Sequence, residues 1–232
     1  MQEETSDNVS VELLSFNNLS LEGYPLVLDN YQRAYVWGVD KVIQLLNDLL
    51  SFIQGSEVED AYYMGTLLLH KKIGEKQKVL CVIDGQQRLT SLAVLYWLLN
   101  KQLPTHIQFS FRSSRSMVNV QQAKQTIQHW LAENNLEIDK LVGVFDRLRF
   151  TVIIVTREDL AFTFFDTQNN RGVPLGSTDL LKSFHLRAIH SDDAQIDELL
   201  QSHCASRWEK VQVQGELGKL NSNHDFAPEL FH

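Results

Sequence analysis

The chain of 232 residues has little of what marks the special classes of protein. It holds only two cysteines, Cys81 and Cys204. Cys81 lies inside an apolar strand-like run, so a disulfide framework is not expected and a reducing cytoplasm is the default compartment. Four prolines and 11 glycines exclude collagen-like and low-complexity chains. No apolar run approaches 18 residues, so no bilayer-spanning helix is predicted. The start, Met-Gln-Glu-Glu-Thr-Ser-Asp, lacks the basic and apolar stretches of a secretory signal. What remains is ordinary globular composition, 44% hydrophobic and 22% charged, in a length that suits one core or a core with a smaller lobe.

The net charge of −8 looks unsuited to nucleic acid, but it is unevenly spread. Residues 1–60 hold 11 acidic residues and two basic ones, Arg33 and Lys41; the rest holds 18 acidic and 19 basic. A locally basic face on the later part is compatible with this composition, which does not by itself show one.

Hydrophobic spacing gives the coarse organisation. Residues 1–8 read as a disordered tail. Val9–Phe16 is apolar-rich, and Tyr24–Leu28 is strand-like. Apolar positions 42, 45, 46, 49, 50 and 53 predict a helix over 39–53. Strands are expected at 62–70 and 79–83, the second buried on both faces because it is continuously apolar. Gln87–Asn100 is apolar nearly all round, which predicts a central, buried helix. A strand at 105–111, helices at 117–134 and 139–145, and a β-branched strand at 149–155 follow. Further helices are expected near 156–168, 177–189 and 192–210. The order predicts an α+β fold: a mixed-sheet core over 9–112, then a mainly helical lobe over 113–232 with one strand near 149–155.

Three places carry chemistry. In Val82-Ile-Asp84-Gly85-Gln86-Gln87-Arg88-Leu-Thr90 a buried strand reaches a glycine turn and a helix begins at once. A helix start offers free N–H groups and partial positive charge, and glycine admits close approach, so phosphate fits there. Arg88 adds a planar cation suited to phosphate oxygens. Asp84 beside a phosphate implies a bridging Mg²⁺. The plain alternative is that Asp84 caps the helix and Arg88 is a surface residue. The motif is not a P-loop, because the long glycine loop and the Lys-Ser/Thr pair are missing. In Tyr31-Gln-Arg33-Ala-Tyr35-Val-Trp37, aromatic rings around a cation could stack on a base, or simply pin a loop to the core. In residues 165–182, Arg171 on a glycine-containing loop could reach an anion, while Asp179 and Lys182 stand one turn apart; a helix cap and an intrahelical ion pair explain the same residues. The eight histidines show no metal-ligand spacing, and no Gly-x-Ser-x-Gly elbow occurs.

Taken together and in this order, these segments resemble one family. They are Tyr31-Gln-Arg-Ala-Tyr-Val-Trp37, Tyr63-Met-Gly65, Ile83-Asp-Gly-Gln-Gln-Arg-Leu-Thr90, then Phe165 with Asn169-x-Arg171-Gly172-x-x-Leu175 and Asp179-Leu-Leu-Lys182. They resemble the N-terminal domain of GmrSD-type restriction enzymes, a ParB/sulfiredoxin-like domain of anti-phage systems, over roughly residues 9–210. The resemblance implies a nucleoside triphosphate site at Asp84, Gly85, Gln86, Gln87 and Arg88. Joined to the chemistry of these residues, it gives the main reading: Asp84 and Arg88 are catalytic, Asp84 holding Mg²⁺ or orienting the attacking water. Tyr31, Arg33 and Trp37 would close over the nucleotide; Asn169, Arg171, Asp179 and Lys182 would form a second clamp. It further implies nucleotide turnover that controls cleavage of modified phage DNA by a His-Asn-His-type nuclease domain or subunit. No nuclease motif follows residue 190, so that nuclease is expected elsewhere. Two other readings stay open: a non-enzymatic DNA- or partner-binding ParB-like module, and direct nuclease action by this domain.

Overall fold

The computed structural model describes residues 8–20, 22–29, 32–55, 60–74, 78–111, 113–134, 138–157, 159–161 and 163–164, and parts of 181–210. The chain divides into two compact units, residues 1–174 and 175–232.

The first unit is α+β. Five strands form one mixed sheet: β1 (Val9–Ser15), β2 (Leu26–Leu28), β3 (Tyr62–Ile73), β4 (Lys78–Asp84) and β5 (Leu148–Val155), in the order β1-β5-β3-β4-β2. β1 and β5 run antiparallel, β5 and β3 parallel, β3 and β4 antiparallel, β4 and β2 parallel. Among the described residues, helices α1 (Val39–Gln54), α2 (Gln86–Asn100), α3 (Ser114–Asn134) and α4 (Ile138–Val144) accompany the sheet. Alternation along the strands puts Leu67, Leu69, Leu80, Val82, Phe150, Val152 and Ile154 into one core with Leu45, Leu49, Leu89, Leu92, Ile127 and Trp130 of the helices.

The elements expected between residues 39 and 155 recur, with two differences; the tail at 1–8, but for residue 8, and parts of the helices expected near 156–168, 177–189 and 192–210 lie outside the described residues. The apolar stretch at 105–111 is not a strand; only Ile107 bridges, in parallel, to Leu26. The expected division near residue 112 is also displaced. β5 lies between β1 and β3 in the same sheet, and α3 supplies Ala123, Ile127 and Trp130 to the same core. The compact units divide at 174/175 instead. Sequence periodicity reports which face of an element is buried, and not which distant strand it joins.

β4 and α2 behave as their composition demands. Leu80–Ile83 are all buried, and α2 buries nine of its 15 residues, from both ends and several sides. Gly85 joins them at φ +97, a conformation that side-chain-bearing residues rarely adopt. A Cβ there would also sit 2.2 Å from Leu67 Cδ2. That turn therefore requires glycine, and it fixes where α2 starts.

His106 is buried against Phe16, with ring centroids 5.5 Å apart, and its Nε2 has no hydrogen-bond partner. Burial pulls its imidazole down to about 4. The unfolded chain takes up this proton near pH 6.5 and the folded chain does not until about pH 4, so stability should fall as pH drops through that window and level off above it. Denaturant unfolding at pH 7 and pH 5 should show a loss of about 2 kcal/mol that His106→Leu removes. An unchanged pH dependence in the variant would exclude this histidine as the cause.

Candidate functional site

The site forms where β4 hands the chain to α2. Asp84 ends β4 with its side chain about one-third exposed, at 35%. Gly85 is the N-cap, and no side chain caps the helix. The first turn carries no acidic residue, so its partial positive charge is not answered from within α2. Gln86 and Gln87 are both buried, at 4% exposure each, and they do different things. Gln86 Oε1 is buried with no hydrogen-bond partner, as is Thr90 Oγ1 one turn later. Such acceptors are costly unless something donates to them.

Gln87 is fully engaged. Its Oε1 accepts from the N–H groups of Val36, at 2.8 Å, and Trp37, at 3.1 Å. Its Nε2 donates to Ala34 O, at 3.0 Å. This one carboxamide holds the backbone of the 34–37 segment. The same segment is tied elsewhere. Gln32 Nε2 donates to the carbonyls of Val82 and Ile83, the Tyr35 hydroxyl meets Ser91 Oγ at 2.8 Å, Ser116 Oγ accepts from Tyr35 N, and Asn119 Nδ2 donates to Tyr35 O. Tyr35 is fully buried, and burial raises its hydroxyl to about 12 despite Ser91.

Arg88 is also spoken for, in part. Its Nη1 donates to Met64 O, and its Nη2 to Thr66 O at 2.6 Å. The two carbonyls flank Gly65, which sits at φ +94, and a Cβ on Gly65 would lie 2.3 Å from Nη1. The guanidinium thus replaces a side chain that cannot exist there, and it supports a register shift in β3 between Tyr63 and Thr66. Asp84 lies 3.9 Å from Nη2. Burial lowers the affinity of the guanidinium for its proton, and Asp84 and Tyr63 oppose that shift. Arginine remains protonated throughout. With five N–H donors, it keeps capacity for a ligand beyond the two carbonyls.

The residues expected from sequence are therefore partly assembled. Asp84, Gly85, Gln86, Gln87 and Arg88 form one turn, and Gln87 joins them to the segment bearing Arg33 and Trp37. Arg33 and Trp37 are half-buried, and Trp37 packs on the core. Tyr31, Asn169, Arg171 and Asp179 lie outside the described residues. Lys182 is buried at 3% exposure within the second unit. Sequence reasoning missed Gln32, Ser91, Ser116 and Asn119 as partners of the aromatic segment. It also missed Gly65 as the reason Arg88 is held. The signal for the second was present: a glycine inside a run of strand formers, Tyr-Tyr-Met-Gly-Thr-Leu.

A family model described as "GmrSD restriction endonuclease, N-terminal domain" matches residues 12–186, three-quarters of the chain. No curated protein matches it.

Proposed function

The chain belongs to the GmrSD restriction endonuclease N-terminal domain family, and from that premise we propose that it binds a nucleoside triphosphate at the start of α2 and hydrolyses it, as the regulatory domain of a system that restricts modified DNA. The observation that carries this reading is the open helix start: a left-handed glycine cap, no capping side chain and no acid in the first turn. Such an end favours an oxyanion. The likeness of the motif to ParB-type phosphate turns belongs to the same reading.

The chemistry asked of the protein is modest, because phosphoryl transfer needs positioning and charge neutralisation above all. The N–H groups of the first turn and the unused donors of Arg88 would hold phosphate oxygens. Asp84, one-third exposed at the strand end, would orient the attacking water or ligate Mg²⁺. Among the described residues no group of three or more His, Cys, Asp or Glu is placed to hold a metal. A single carboxylate fits Mg²⁺, which commonly takes one or two carboxylates together with substrate phosphates and water. When bound, the ion would neutralise charge on the phosphates. Gln87 and the 34–37 segment, with Trp37 and Arg33, would keep the nucleotide side of the turn in place. In this reading DNA and a His-Asn-His-type nuclease are the partners of the whole system.

Calorimetric titration with several nucleotides and Mg²⁺, joined to phosphate-release assays with and without DNA, tests the proposal. Wild type should bind and turn over a triphosphate. Arg88→Ala should weaken binding by about 1.5–3 kcal/mol, the range for a hydrogen bond to a charged group. It should also melt earlier, because the carbonyls of Met64 and Thr66 lose their partner. Equal affinity in folded Arg88→Ala would remove Arg88 from the ligand. DNA binding without nucleotide binding would favour a non-enzymatic module, and Asp84-dependent DNA cleavage a nuclease.

A further inference from the structure

The face of the sheet opposite the main helical core is uneven. Leu68, His70, Cys81 and Val155 are buried on it. Towards one end it turns polar. Thr66 and Thr151 are Cα partners across β3 and β5, so their side chains stand together. Tyr63 is 58% exposed, yet its hydroxyl is not left to wander: it donates to Thr151 Oγ1 at 3.0 Å. Arg149 is the Cα partner of Tyr63, half-buried, with Nη1 on Asp146 O. The Arg88 guanidinium reaches the same place from α2, bonded to the carbonyls on both sides of Gly65.

We propose that the hydroxyls of Tyr63, Thr66 and Thr151 form an oxyanion subsite, continuous with the Asp84–Arg88 pair, that takes a phosphate of the bound triphosphate. The proposal rests on the nucleotide reading and adds to it residues outside the Asp-Gly-Gln-Gln-Arg motif. Three lines of geometry carry it. Hydroxyls can turn their protons towards an anion, and three of them meet on one face. The phenol oxygen is already placed beside Thr151 Oγ1, so a phosphate would redirect only the phenol proton and leave the ring where it is. The bulge that places Tyr63 and Thr66 is held by Arg88 through the carbonyls of Met64 and Thr66. The hydroxyls of Thr151 and Thr66, and last Arg88, hold the phenol below its ordinary value against the opposing effect of burial. Arg88 is thereby a positioning residue for Tyr63 as well as a direct phosphate donor.

The test uses the full chain and three titrants: Mg-nucleotide, tripolyphosphate without any nucleoside, and duplex DNA. Two variants each remove one hydroxyl and little else, Tyr63→Phe and Thr151→Val. The Tyr63 ring is largely exposed, so Tyr63→Phe should melt with wild type. Both variants should bind nucleotide and tripolyphosphate about tenfold more weakly, the effect of a charge-assisted hydrogen bond. Tripolyphosphate should also perturb the tyrosine ultraviolet spectrum of wild type, and Tyr63→Phe should abolish that change. Wild-type affinity for nucleotide in both variants overturns the subsite and leaves the nucleotide site standing. Tripolyphosphate binding that needs Tyr63, with no preference for any nucleotide, supports the subsite and overturns the nucleotide reading. Loss of duplex binding alone makes this face a DNA surface and overturns the subsite. Binding of neither phosphate ligand by wild type overturns both.

Discussion

Gln87→Ala should destabilise the first unit by about 3 kcal/mol, since it strips partners from two N–H groups and one carbonyl at once. In a unit of this size that loss lowers the melting temperature by roughly 6–12 °C. The fold should survive. The 32–37 segment keeps Gln32 on the β4 carbonyls, Tyr35 against Ser91, and Asn119 on the Tyr35 carbonyl. Gln87→Glu is the sharper variant. A carboxylate retains two acceptors for Val36 and Trp37 but cannot donate to Ala34 O, and it brings a charge into a 96% buried position. Its loss should equal or exceed that of alanine at pH 7 and shrink in acid, where the protonated carboxyl again donates. Denaturant unfolding at pH 7 and pH 5 measures both. A Gln87→Ala protein as stable as wild type, but unable to bind nucleotide, would make Gln87 a ligand group and not a backbone clamp.

This clamp explains why motifs far apart in sequence belong together. The aromatic segment at 31–37, the Tyr-Met-Gly segment at 63–65 and the Asp-Gly-Gln-Gln-Arg turn meet through the side chains of the last. Gln87 holds the first, and Arg88 holds the second. The sequence showed polar donors at 86–88 and a helix start, both legible from local pattern. It could not show which donors are consumed by the protein and which stay open to a ligand, because that depends on non-local backbone. Two adjacent glutamines look alike on paper, yet one makes three hydrogen bonds and the other leaves its oxygen unpaired. The elements were legible for a similar reason. α1 and α2 declare themselves by apolar spacing, and β4 by a continuous apolar run. The insertion of β5 between β1 and β3 is a pairing of residues some 140 apart in sequence, which no local period encodes. The strand expected at 105–111 reduces to one bridge, between Ile107 and Leu26.

Asp84→Asn should cost activity and almost nothing in stability. The carboxylate ends a strand at one-third exposure, and its one cationic neighbour in the first turn, Arg88, stands at 3.9 Å, beyond a good hydrogen bond. A half-buried pair held this far apart contributes about 1 kcal/mol, so the melting temperature should move by a few degrees at most. Asparagine keeps the size and a carbonyl acceptor but loses the charge that would hold Mg²⁺ or activate water. Nucleotide turnover should therefore fall about a hundredfold or more, near 3 kcal/mol in activation free energy. Triphosphate binding without metal should hold or improve, because a like charge beside the phosphates is gone. That split separates the two roles open to Asp84. A carboxylate acting on the reaction loses turnover and keeps metal-free binding and stability. A carboxylate that only supports the start of α2 does the reverse: the variant melts early and turns over nucleotide at the wild-type rate. Phosphate release across a Mg²⁺ series, read beside thermal unfolding of the same preparations, decides between them. A shift of the Mg²⁺ half-saturation point to higher concentration in Asp84→Asn would place the ion on this side chain, and an unchanged half-saturation with reduced maximal rate would place the attacking water there instead.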